Sequence, residues 1–313
     1  FDVPDATKAS AEAGRNAFVN RIRWQSYYGQ DQVSLGPEDR LKVIGGFRYD
    51  DIRQEDIQAT ADEIENDRDA WTYRAGVLYQ VTDNIAPYYS YSESFQPVNG
   101  LLQDSNGLTF EPEEGEQHEA GVKFTFWEDQ ITATASYFEI EKSGVPEFDS
   151  ATSSYIGQGI QASEGWEIDI TAELDNGWSL IGNYSYTETE VIDSTTAANI
   201  GRTLGGVPLH RSSLWAAYEF PDDHALHGLG MGAGYTDTDA TYPLFGYDAI
   251  LPEWTTFDAA LWWETKLCND QDMIIRFNFK NIGDEEYYTS ASSSAIVHPG
   301  EPFEVFGSVT IRK

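Results

Sequence analysis

The chain has 313 residues, of which 40% are hydrophobic and 14% aromatic, and its formal net charge is −34. Such acidity argues against nucleic acid as a partner, because binding a phosphate backbone needs a basic surface. The single cysteine, Cys268, excludes an internal disulfide. No apolar run approaches the roughly 20 residues of a membrane helix, although strands that cross a membrane give only a weak hydropathy signal.

Apolar and polar residues alternate with a period of two along almost the whole chain, and this pattern indicates β-strands. In chain order it is clear in LKVIGGFRYD, WEIDITAEL, FDAALWWE and MIIRFNFK. Counting such segments predicts about thirteen strands. Their approximate centres are Trp24, Ile44, Leu78, Tyr89, Val122, Ser136, Glu167, Tyr184, Trp215, Gly232, Ala260, Phe277 and Val309.

The predicted connections alternate strictly between short and long. The short ones have the sequences GPED, TDN, WED, DNG, PDDHALH and CNDQD. The long ones cover residues 53–70, 95–113, 143–153, 190–209, 238–254 and 282–303. This alternation predicts up-and-down topology with turns at one end and loops at the other. An antiparallel transmembrane β-barrel has this form.

Aromatic residues beside the connections support a membrane-spanning barrel. Trp127 and Trp178 flank short turns, whereas Trp254, Tyr287 and Tyr288 flank long loops. We expect these five side chains at the two membrane interfaces, where aromatic rings are enriched. A soluble β-sandwich or propeller also alternates and carries aromatics, but its connections need not alternate in length.

Several segments then point to a known family. In chain order they are YYGQDQVSLGPEDRLKVIGGFRYDD, NIAPYYSYSESFQPVNG followed by FEPEEGEQHEAGVKF, ASYFEIEKSGV, GQGIQASEGWEIDITAEL, GGVPLHRSSLWAAYEF and NFKNIGDEEYYTS. Their order and spacing resemble the TonB-dependent siderophore receptors of the outer membrane, in particular the ferrichrome or hydroxamate-type branch. The resemblance extends from about Tyr27 to Ile311.

The resemblance implies an incomplete barrel. Receptors of this type resemble barrels of about 22 strands with a plugged lumen. We therefore expect residues 1–313 to be the C-terminal part of such a barrel, all-β and antiparallel, without the N-terminal plug and the first strands. The implied location is the outer membrane, with the C-terminus periplasmic and the long loops extracellular.

The implied function is uptake of ferric siderophores rather than catalysis, with no cofactor of the protein's own. The energy would come from the TonB–ExbB–ExbD complex of the inner membrane through the plug, so we expect the chain alone to be inactive. Loop residues that could bury the ligand's apolar surface and orient it, or alternatively only pack the loops, are Phe95, Tyr155, Gln158, Tyr242, Phe245 and Tyr247.

Acidic residues on the loop side leave two interpretations open; they are Glu111, Glu113, Glu114, Glu116, Asp237 and Asp239. A negative rim would repel an anionic catecholate complex and tolerate a hydroxamate one. Alternatively, the same residues form a solvated loop or bind divalent cations that bridge to lipopolysaccharide phosphates. No sequence pattern of a catalytic nucleophile or a metal site stands out. The alternative functions are a passive porin-like channel and a soluble β-rich carbohydrate-binding protein.

Overall fold

The fold is built from hairpins between strands that follow one another in the chain. The computed structural model describes residues 18–58, 64–98, 110–149, 154–244, 249–267, 271–293 and 296–312. The first seven strands are β1 (Phe18–Leu35), β2 (Leu41–Gln58), β3 (Ile64–Tyr79), β4 (Ile85–Gln96), β5 (Glu113–Phe126), β6 (Ile131–Asp149) and β7 (Ser154–Glu173). The remaining strands are β8 (Trp178–Asp193), β9 (His210–Glu219), β10 (Leu229–Thr238), β11 (Trp254–Lys266), β12 (Asp272–Lys280), β13 (Tyr288–Ser293), β14 (Ile296–Pro299) and β15 (Glu304–Arg312).

Thirteen of these strands form one antiparallel sheet in the order β1 to β12 and then β15. Each of the thirteen strand centres expected from the alternation lies in a different one of them, so the predicted strand number and topology are confirmed. Within the described residues β1 and β15 are the two edges and do not pair with each other, so the sheet is not closed. Strands β13 and β14 form a separate hairpin in the last long connection.

Alternation gives the sheet two unlike faces. In β12, Ile275 and Phe277 pair with Val309 and Gly307 of β15, and this apolar face remains open, with Phe277 46% and Val309 63% exposed. Side chains with the opposite parity form the polar face, which carries Arg276 of β12. An outward apolar band and a polar interior are the pattern of transmembrane barrels.

Tight turns close one end of the sheet. Gly177 has a φ of 91°, and a Cβ there would overlap the carbonyl oxygen of Glu219. At another turn Arg40 contacts Glu38 at 2.7 Å and Asp83 at 3.3 Å, which joins the β1–β2 turn to the β3–β4 turn. The hydrogen bond from Arg40 to Glu38, with the charge of that carboxylate, raises the pKa of Arg40 above its ordinary value.

The long end of the sheet differs from the expectation of loops at residues 53–70 and 143–153. Strand β2 continues to Gln58 and β3 begins at Ile64, while β6 continues to Asp149 and β7 begins at Ser154. Strands of 16–20 residues are longer than the roughly 9–11 residues needed to cross a membrane. These two hairpins therefore project as paired strands where loops were predicted.

The last long connection is anchored at its base by Asn281, which is only 3% exposed. Its amide nitrogen donates to the carbonyl oxygens of Glu285 and Glu301, and its side-chain oxygen accepts from the Glu285 backbone.

No helix in the described ranges combines the length and the apolar character that crossing a membrane requires.

Candidate functional site

The predicted ligand-binding residues belong to different elements. Phe95 lies on β4, half-buried and on the apolar-face parity, opposite Glu114. Tyr155 begins the outer part of β7 with its ring 6.1 Å from that of the buried Phe110. Tyr242 lines a groove described below. For Gln158 only the backbone pairing with Pro146 is described, while Phe245 and Tyr247 lie outside the described residues; the six assignments stay predictions.

The aromatics expected at the membrane interfaces occupy varied positions. Trp127 is 67% exposed in the β5–β6 turn, and Trp178 is 49% exposed with its ring 5.2 Å from Tyr218. Trp254 pairs with Thr238, which gives it the polar-face parity, and its ring lies 4.4 Å from Tyr287. Tyr288 opens β13 and is 43% exposed. Their placement against lipid stays a prediction.

A second set of aromatics, the aromatic band, crosses β4 to β9 on the apolar face. On β4 and β5, Tyr91 pairs with His118, their rings are 5.0 Å apart, and 2.7 Å separates Tyr89 Oη from His118 Nδ1. Tyr91 donates to Glu93 at 2.7 Å. The aromatic band consists of Tyr89, Tyr91, His118, Tyr137, Trp166, Tyr184, Tyr186 and His210.

The same cluster occurs a second time on β8 and β9. Tyr186 pairs with His210, their rings are 5.1 Å apart, and 2.8 Å separates Tyr184 Oη from His210 Nδ1. Tyr186 donates to Glu188. The sequence signal is the repeat YSYSE at residues 89–93 and YSYTE at residues 184–188. Apolar–polar alternation predicts the two strands but not that they carry the same cluster.

Directly beyond the aromatic band lies a groove of about 750 Å³ lined by exposed carboxylates. Between the two clusters Tyr137 donates to both Glu139 and Glu164 at 3.0 Å each. The six carboxylates that line the groove form what we call the carboxylate row. It consists of Glu116, Glu139, Glu141, Glu164, Glu188 and Glu190.

Register places members of the carboxylate row opposite one another. Glu116 pairs with Glu141, while Glu164 pairs with Glu139 on one side and Glu188 on the other. Like charges directly opposite in antiparallel strands destabilise the sheet. In the described part of the chain no group of three or more chelating side chains converges on a single metal position.

The polar face of β1 and β2 carries a different cluster centred on Asp50, which is 3% exposed. Its carboxylate accepts from Trp24 Nε1 at 2.6 Å and from Ser26 Oγ at 2.5 Å. Arg48 donates to both carboxylate oxygens and also to Ser26. Trp24, Ser26 and Arg48 therefore all donate to the Asp50 carboxylate, and the bonds from Arg48 are the strongest because they are charge-assisted.

The fold and its two faces define the class: an up-and-down antiparallel sheet of the outer-membrane barrel type, with one apolar and one polar face. The family described as "TonB dependent receptor-like, beta-barrel" matches residues 2–282, and the chain belongs to this family. Its members are transporters and receptors rather than enzymes.

Two relatives illustrate the coverage. The ferrichrome outer membrane transporter/phage receptor of Escherichia coli is 30% identical over 97% of this chain and 40% of its own length. The metal-pseudopaline receptor CntO of Pseudomonas aeruginosa is 31% identical over 90% of this chain and 40% of its own length. The chain thus spans well under half the length of these curated relatives.

Solved structures agree with the fold. The siderophore receptor PiuA from Acinetobacter baumannii superposes with a TM-score of 0.80 at 23% identity, over 94% of this chain and 44% of that one. The ferric-catecholate import receptor Fiu from E. coli, in its closed form, gives a TM-score of 0.77 at 21% identity, over 94% and 45%. At these identities the likeness establishes the barrel fold alone.

Proposed function

We propose that this chain is the barrel portion of an outer-membrane receptor that takes up ferric siderophores. The observation that carries the proposal is the family match over residues 2–282. It is supported by relatives named as ferrichrome and ferrioxamine B receptors. The same match favours a receptor over the porin-like channel and the soluble carbohydrate-binding protein that the sequence left open.

The proposed orientation follows from the two ends of the sheet. The tight turns face the periplasm and the projecting hairpins face outward, which is the arrangement typical of outer-membrane barrels. The chain's C-terminus then lies on the periplasmic side, because β15 runs from the long-connection end to the turn end. The apolar face contacts lipid and the polar face lines the lumen.

Energy coupling is proposed to involve parts of the whole receptor outside residues 1–313. We propose that a plug within the whole receptor contacts the TonB–ExbB–ExbD complex and that residues 1–313 form only barrel wall. The unpaired edges of β1 and β15 support this, because hydrocarbon does not tolerate unpaired backbone groups. We therefore expect the 313-residue chain alone not to restore iron uptake in a receptor-deficient strain.

A chimera tests transport and ligand class together. The chain replaces the matching 40% of the E. coli ferrichrome transporter, and uptake of radioactive iron is measured with ferric hydroxamates and ferric catecholates in competition. The acidic outer rim predicts hydroxamate preference, because it repels anionic catecholate complexes. Catecholate preference would disprove the ligand class, and a chimera that assembles but takes up neither would disprove transport. The uncoupled control is the same chimera in a strain without the energy complex.

The carboxylate row suggests how the receptor sits in the outer leaflet. We propose that divalent cations bound diffusely along the row bridge it to lipopolysaccharide phosphates. Two features support this: the row lies directly beyond an aromatic band of the kind found at membrane interfaces, and its opposed carboxylates gain from any cation between them.

A further inference from the structure

The polar face of β1 to β4 contains a niche that the siderophore proposal does not use. Its volume is about 390 Å³, which is within the range of small-molecule sites. The polar-face side chains that line it are Tyr28, Gln30, Arg48, Thr72, Arg74 and Ser92. Its lining also includes Gly29, Phe47, Tyr73 and Glu93, which have the apolar-face parity. The Glu93 carboxylate already accepts hydrogen bonds from the Tyr73 backbone and from Tyr91.

This part of the polar face is cationic in an otherwise acidic protein. The described side chains of β1 to β3 on this face include four cations, Lys42, Arg48, Arg68 and Arg74, and one carboxylate, Asp50. The whole chain has 19 Lys and Arg against 53 Asp and Glu. Local positive charge against so strong an opposite background would raise the concentration of an anion at this part of the wall.

The two guanidinium groups of the niche differ in their partners. Arg48 is held by Asp50, with Nε 2.8 Å from Oδ2, and by Ser26, with 2.9 Å between Nη2 and Oγ. Among the described residues Arg74 has neither an ion pair nor a hydrogen bond, and its side chain is exposed. Arg74 therefore offers a full set of donors, next to an arginine whose charge is already shared.

The backbone around Arg74 accommodates its side chain on the sheet. A Cβ at Gly46 would lie 3.3 Å from both Cγ and Nε of Arg74, so glycine lets the arginine lie across β2. The pairing of β3 with β4 ends at Arg74 and Ser92. Beyond that point the Tyr73 backbone donates to the Glu93 carboxylate instead. The Ser92 and Thr72 hydroxyls thus flank the Arg74 guanidinium at the point where the pairing of β3 with β4 ends.

We propose that this niche binds a small solute through a carboxylate or phosphate group. The Arg74 fork takes the oxyanion in a bidentate contact, which is the strong geometry for both groups. The hydroxyls of Thr72 and Ser92 donate to the remaining oxygens, and Arg48 adds charge without moving from Asp50. The proposal stands independently of siderophore transport.

The test uses the chimera described above, in which the chain completes a whole receptor, purified in non-ionic detergent, with isothermal titration of citrate and, separately, of inorganic phosphate. Arg74→Gln removes the fork and should weaken binding about tenfold or more, because hydrogen bonds to charged groups are worth about 1.5–3 kcal/mol. The matched control is Arg23→Gln. Arg23 is exposed on the opposite parity of β1, and its loss should change affinity less than about twofold, in line with a screened distant charge.

A second variant removes hydroxyls and keeps both arginines. Thr72→Val with Ser92→Ala should weaken binding about threefold or more, since a typical hydrogen bond contributes about 1 kcal/mol. It also decides the matter if Arg74→Gln does not fold. Tighter citrate binding indicates a carboxylate ligand and tighter phosphate binding a phosphate ligand, and both support the site. The proposal is overturned if neither probe binds at millimolar concentration, or if Arg23→Gln weakens binding as much as Arg74→Gln.

Discussion

The carboxylate row over β5 to β8 and the Asp50 cluster on β1 and β2 differ in whether their carboxylates have partners. Along the row, exposed carboxylates face one another without cations between them. The Asp50 carboxylate instead accepts hydrogen bonds from a guanidinium, an indole and a hydroxyl group. Asp50 contributes stability to the sheet, whereas the row reduces it. Clustered charged side chains thus stabilise the sheet where each has a partner of opposite charge or a hydrogen-bond donor. Where they lack such partners, they can bind ions from solution.

The largest expected effect is loss of the Asp50 carboxylate. Asp50→Ala leaves Arg48, Ser26 and Trp24 without their shared acceptor. Removing one partner of a buried pair costs about 3–5 kcal/mol. Since the Arg48 side chain is 49% exposed, we expect a loss of about 2–3 kcal/mol in the free energy of unfolding after discounting for solvent, measured by urea titration in detergent.

The neighbouring Asp51 provides the control. Its carboxylate is 3.9 Å from Arg53 and 33% exposed, so Asp51→Ala should cost less than about 1 kcal/mol, as surface ion pairs do. Similar losses for Asp50→Ala and Asp51→Ala would show that the two regions do not differ in the way described.

The two regions also differ in how far the sequence predicts them. Alternation is local, so all thirteen strands and the two faces follow from it, as Phe277 and Arg276 show. The Asp50 cluster and the niche depend on register between strands: Ser26 meets Asp50 only because the pairing of β1 with β2 places the two residues opposite each other. Register is set by turn geometry and the buried pattern, and periodicity alone does not supply it.

A smaller effect should separate the carboxylate row from ordinary surface charge. Glu116→Gln with Glu141→Gln removes a directly opposed pair of like charges for which the described residues provide no hydrogen-bond donor. In EDTA this variant should be more stable than the parent by about 0.5–1 kcal/mol. Added Mg²⁺ should stabilise the parent more than the variant, because we propose that the cations bind between opposed carboxylates of the row.

Glu253→Gln with Glu286→Gln is the charge-matched control for the row, because both side chains are exposed and lie outside the groove. It should respond to Mg²⁺ as the parent does. If the control loses the Mg²⁺ effect as fully as the row variant, the cations respond to net charge alone and the row has no special role.

The smallest effect concerns the repeated cluster at the inner border of the row. Tyr89→Phe and Tyr184→Phe each remove one hydroxyl that lies within hydrogen-bonding distance of a histidine. Each should lower the free energy of unfolding by about 0.5 kcal/mol, the low end of the usual net contribution of one hydrogen bond, because both tyrosines are exposed. Tyr235→Phe on the same face is the control, since no described residue bonds its hydroxyl, and it should be neutral.

The two clusters have nearly the same ring distances and bonds, so the two losses should be alike. They should also add in the double variant, because widely separated sites act independently. Unequal losses would mean that the environment, rather than the repeated YSY segment, sets the stability of this border.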